Sequence, residues 1–180
     1  MDDQTHIYAE NGIIENIQAY LLAIACIIYL VTGTLEKKSY KLIFLFCSLI
    51  CYASTLRELE VEKFDIPHAL IFIGHGIGLK ITVGALAFAI FVCATLNFSY
   101  QKNEAVRFAR SKSGQLLIAG AAFLLIGDFF EKNKEILHHV FFEEITELFG
   151  YTLILLSSIF ANFFLSRLTT LSKWALTRSG

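Results

Sequence analysis

Apolar residues come in long runs separated by short, charge-bearing stretches. The runs cover residues 13–32, 40–56, 76–98, 114–130 and 145–165. Each has about the length, roughly 17–25 residues, that carries a helix across a bilayer. The pattern therefore predicts an all-α fold: a polytopic integral membrane protein, a five-transmembrane-helix bundle forming a single transmembrane domain over residues 1–180. No internal repeat, linker or low-complexity stretch divides it.

The third run has a further feature. Its apolar character extends back to Pro67, and Asp65 ahead of that proline is a plausible helix start. A continuous helix from there to Phe98 would measure about 50 Å, well over the ~30 Å hydrocarbon core. Gly74, Gly76 and Gly78 flank His75 in IGHGIGLK. Glycine permits an unwound turn, so a broken third helix is one expectation. Close helix packing through small residues is the other.

Composition strengthens the membrane reading. Hydrophobic residues make up 56 % of the chain, and 17 Phe stand against a single Pro, unlike a soluble globule. The opening MDDQTHIYAENG is acidic and lacks the basic start of a secretory signal, so the first run is expected to be retained. Cys26, Cys47, Cys51 and Cys93 all fall inside apolar runs without a C-x-x-C motif. They read as lipid-facing or core thiols.

Charge supplies the orientation. Ten of the 15 Lys and Arg lie in two connections and the tail: Lys37, Lys38, Lys41; Lys102, Arg107, Arg110, Lys112; and Arg167, Lys173, Arg178. With five spans all three groups share one side, which Glu36 and Glu104 alone of the 16 acids join. Basic connections stay cytoplasmic, so the N-terminus is expected outside and the C-terminus inside, as in a bacterial inner membrane.

The opposite side gathers the unusual polar residues. The second span exits through Arg57, Glu58, Glu60 and Glu62, and the third begins with His68, His75 and Lys80. The fourth exits through Asp128, Glu131 and Lys132, and the fifth begins with Glu135, His138, His139, Glu143, Glu144 and Glu147. Ionisable groups beside hydrocarbon are costly and usually pair or line a cavity. Arg57 or Lys80 is expected to pair with Asp128 or Glu147. Glu58, Glu60 and Glu62, beside Lys63, read as solvated.

Imidazole with carboxylate suits a divalent transition metal. If helix runs through the start of the fifth span, Glu135, His139, Glu143 and Glu147 share a face. The candidate ligands are His75, His139, Glu143, Glu147 and Asp128, supported by Arg57, Glu58, Lys80, Glu144, His68 and His138. The leading reading is cation binding for transport or sensing.

Three alternatives compete. One is a membrane-embedded, metal-dependent hydrolase acting on a lipid or peptide. The EEITE stretch resembles the paired glutamates that open the E-E-x-x-x-R motif of CAAX-type intramembrane proteases, although its arginine is absent. The second is a b-type haem protein with axial ligands from His75 and His138 or His139. The third is a non-catalytic subunit of a larger membrane complex, or a homo-oligomer. The bilayer is the expected partner. No nucleic-acid motif, nucleotide loop or serine triad is present.

Overall fold

A computed structural model describes residues 13–36, 40–59, 76–133, 135 and 137–177, with backbone alone at 13 and beyond 163. Six helices and no strand occur among the described residues: α1 (Ile13–Leu35), α2 (Lys41–Glu58), α3 (Gly76–Thr95), α4 (Phe98–Arg110), α5 (Lys112–Lys132) and α6 (His139–Thr177). Among the described residues four stretches are long and apolar enough to cross a membrane: Ile14–Leu35, Gly76–Thr95, Lys112–Lys132 and His139–Phe163. Helix α2 falls outside this set; its 18 residues include Lys41, Arg57 and Glu58.

The structure departs from the sequence pattern in the connection after the third span and ahead of the last helix, and keeps the third span close to its expected bounds. The basic connection after the third span is a helix, not a loop. Its Phe108 and Glu104 turn inward while Lys102, Arg107 and Arg110 stay exposed, the division an amphipathic helix makes. The third span is a 20-residue helix beginning at Gly76, about 30 Å long at 1.5 Å per residue. Gly76 has φ +57°, open to glycine at no steric cost. Residues 60–75, with His68 and His75, lie outside the described residues. The last helix starts at His139, after a left-handed His138 at φ 60°. Glu135 therefore precedes the helix and does not join the stripe of His139, Glu143 and Glu147.

Helix α1 packs against α2 and α6, α5 packs along α6, and α3 touches α2. The other helices leave nearly all of α3 uncovered, as expected of a segment facing lipid. The core combines Leu22, Ala25 and Tyr29 of α1 with Phe44, Cys47 and Cys51 of α2 and Tyr151, Ile154 and Ala161 of α6. Cys47 and Cys51 are thus core thiols, whereas Cys93 is exposed on α3. Phe44 stacks on Tyr29 at 6.2 Å and meets Phe108 of α4 edge-on at 5.7 Å.

Small residues set the distance between α5 and α6. A Cβ on Gly120 would lie 2.8 Å from the Gly150 carbonyl oxygen, and one on Gly150 would lie 3.0 Å from that of Gly120. Gly127 makes room for the Glu147 side chain in the same way. Such close backbone approach is how helices associate in lipid, where hydrophobic exclusion gives no drive. It brings the end of α5 against the first turns of α6.

Buried hydroxyls tie the other end. Tyr29 Oη and Ser157 Oγ are 2.6 Å apart, and Ser157 Oγ donates to the Ser113 carbonyl at 2.6 Å. Ser113 Oγ donates to the Ser157 carbonyl at 2.8 Å. The starts of α1 and α6 and the ends of α2 and α5 thus occupy one end of the bundle. Lys41, α4 and the start of α5 occupy the other.

Candidate functional site

The polar residues of the first end are positioned by four helices, each at the limit of its apolar run. Helix α2 ends in Arg57 and Glu58. Glu58 is turned inward, its side chain 9 % exposed, rather than solvated as the run of neighbouring acids suggests. Arg57 Nη2 and Nε donate to its Oε1 at 2.8 and 3.1 Å. The same Nη2 reaches across to Glu147 Oε1 of α6 at 3.3 Å. Arg57 and Glu147 are therefore paired, one of the combinations expected from their positions at span ends.

Tyr151, one helical turn after Glu147 and 1 % exposed, completes the network. Its hydroxyl donates to Glu58 Oε1 at 2.9 Å and accepts from Arg57 Nη2 at 3.0 Å. Surrounding protein opposes the charge of Arg57, but Tyr151 and the carboxylates of Glu58 and Glu147 outweigh that and raise its pKa. The guanidinium is a fixed cation between two carboxylates. Such charge-assisted bonds are stronger than neutral ones.

A second contact joins α1 to the same turns of α6. Gln18, fully buried, donates from Nε2 to Glu144 Oε2 at 3.0 Å and to the Glu144 carbonyl at 3.2 Å. Its Oε1 is buried with no hydrogen-bond partner among the described residues. Glu15, Glu143 and Glu58 lie close enough to act on Glu144 electrostatically, and Glu143 also feels Glu131 and His139. Glu58, Glu143 and Glu147 thus each interact electrostatically with Arg57, while Glu144, which Glu15 also influences, acts on Glu147.

The remaining candidates stand apart. Asp128 is half-exposed and bonds Lys132 on its own helix, Nζ to Oδ2 at 2.6 Å. Lys80 is exposed on α3 and makes no ion pair with Asp128 or Glu147 among the described residues. His138 is exposed at the turn before α6. His68 and His75 lie outside the described residues. Among the described residues, no three His, Cys, Asp or Glu side chains converge closely enough to hold a metal ion.

Gln18 and Tyr151 enter the site without having been singled out from sequence. Both are polar groups inside apolar runs, and that was their signal. Chemically, the arrangement offers a rigid core, Arg57–Glu58–Tyr151–Glu147, and beside it the less restrained carboxylates of Glu143 and Glu144. The chain matches no protein-family model, no curated protein and no solved structure.

Proposed function

We propose that this is an integral membrane protein of five spans whose acidic end faces away from the cytoplasm and binds a divalent cation, for transport or sensing. The observation that carries the reading is the excess of half-buried carboxylates around one arginine. Carboxylates removed from water at close range are unfavourable without a counter-charge, and a cation bound beside Glu143, Glu144 and Glu147 supplies it. A cluster of one sign also concentrates cations from solution.

Helix α2 serves as the fifth span. Between Lys41 and Arg57 it carries 15 residues without a charge, about 22 Å of helix at 1.5 Å per residue. The flanking long side chains can extend to the headgroup level. With α2 crossing, the basic connections and tail lie together on the cytoplasmic side and the N-terminus outside, consistent with a bacterial inner membrane.

His139, Glu143 and Glu147 step by four along α6 and are the proposed ligands, with Glu144 beside them; as they stand no three converge, so these side chains would have to draw together on the ion, with Glu147 leaving Arg57. Asp128 would have to leave Lys132 to join. The experiment is thermal unfolding of nanodisc-reconstituted protein with zinc or manganese. A ligand at 100 times its Kd stabilises by about 2.7 kcal/mol. The expected result is a saturable rise in Tm that Glu143→Gln combined with Glu147→Gln abolishes. An equal rise in that variant, or none at millimolar metal, refutes the reading.

A further inference from the structure

The opposite end of the bundle holds a cleft of about 560 Å³, within the size range of ligand sites. Its walls are aromatic: Tyr40 just ahead of α2, Phe44 of α2, Phe108 of α4 and Phe160 of α6. Phe44 and Phe108 are buried against each other with ring centroids 5.7 Å apart, so this part of the lining is packed in place. At the mouth, α5 begins with Lys112, whose side chain is exposed. Ser111 caps that helix by accepting from the Gly114 amide at 3.1 Å.

Three features point to one class of occupant. The start of α5 carries the positive end of a helix dipole, and Lys112 adds a full charge beside it. Arg110 is exposed two residues away. Glu104 of α4 is tied to Arg107 at 3.0 Å, and it and Glu36 lie close enough to act on Tyr40. Away from these charges the lining is hydrocarbon and ring faces. Helix α4, with basic residues outward and Phe108 inward, has the character of a helix lying at a membrane surface. The cleft thus joins one cationic side chain, Lys112, to a largely aromatic and apolar lining.

We propose that this cleft holds one anionic phospholipid, its phosphate at Lys112 and the start of α5 and an acyl chain along Phe44, Phe108 and Phe160. The hydroxyl of Tyr40 suits the glycerol region between head and chain. The inference is independent of the cation site, which lies at the other end of the bundle.

The test is lipid retention by the full chain. Protein is reconstituted with equal phosphatidylglycerol and phosphatidylcholine, extracted gently and weighed by native mass spectrometry. One phosphatidylglycerol per chain is expected to be retained over phosphatidylcholine. Lys112→Glu, at an exposed position, should reduce that retention at least about fivefold, from roughly 1 kcal/mol per basic residue acting on anionic lipid. Arg110→Glu, outside the cleft, should reduce it much less. Equal retention of the two lipids overturns the proposal. So does an equal loss in both variants, which would indicate diffuse surface charge. Displacement of the lipid by glycerophosphoglycerol alone at low millimolar concentration would also overturn it, since the acyl chain would then contribute nothing.

Discussion

Replacing Tyr151 by Phe removes one oxygen from the centre of the acidic end and leaves the ring in place. Two hydrogen bonds are lost, to Glu58 at 2.9 Å and from Arg57 at 3.0 Å. Bonds to charged groups contribute about 1.5–3 kcal/mol in soluble proteins, while side-chain bonds between membrane helices average nearer 0.6 and reach about 1.7. Arg57 and Glu58 still hold each other at 2.8 and 3.1 Å, so neither charge is orphaned. The expected cost is therefore about 1–2 kcal/mol. Reversible unfolding in mixed micelles, followed by circular dichroism, measures it. Tyr20→Phe, at a position 70 % exposed, should cost under about 0.5 kcal/mol. A double-mutant cycle with Glu58→Ala should give a coupling of about 1 kcal/mol. If Tyr151→Phe is as mild as the control and additive with Glu58→Ala, the network does not hold α2 to α6.

Other consequences follow from packing and topology. Gly120→Ala places a methyl 2.8 Å from the Gly150 carbonyl oxygen and should cost about 1–3 kcal/mol by forcing α5 from α6. Gly84→Ala, whose methyl meets nothing within 4 Å, should be neutral or stabilise by up to about 1 kcal/mol through helix propensity; comparable losses in both would contradict the interface. Alkaline phosphatase fused after Leu59 or Asn133 should be active and after Lys112 inactive. An inactive Leu59 fusion would remove α2 as a span, and an active Lys112 fusion would reverse the orientation.

The four long apolar helices are legible in the sequence because unbroken hydrocarbon of bilayer length has few other structural uses. Helix α4 was not, because Ser99–Arg110 is dense in charge, and charge density hid the single inward face built on Glu104 and Phe108. The site was legible as a layer but not as a set of contacts. Arg57 and Glu147 were recognisable as partners because each terminates an apolar run and an isolated charge there is costly. Glu58 is not the solvated residue that Glu60 and Glu62 beside it suggest, because the packing of α2 on α6 turns it toward Tyr151. Gln18 carries no charge and so stands out less in the sequence than a carboxylate. Yet a neutral amide within an apolar run needs partners as a carboxylate does, and Gln18 finds Glu144 126 residues away. The stripe from Glu135 failed for a local reason: His138 adopts a left-handed backbone, so helical spacing begins only at His139.

The most direct test of the cation site is a manganese titration followed by electron paramagnetic resonance, in which free ion gives a signal that binding broadens away. Nanodisc-embedded protein should remove one manganese per chain saturably, with zinc competing. Glu143→Gln combined with Glu147→Gln should leave the ion free. An undiminished free-ion signal with the unaltered protein, or the same loss with the double variant, would contradict a cation site at the acidic end.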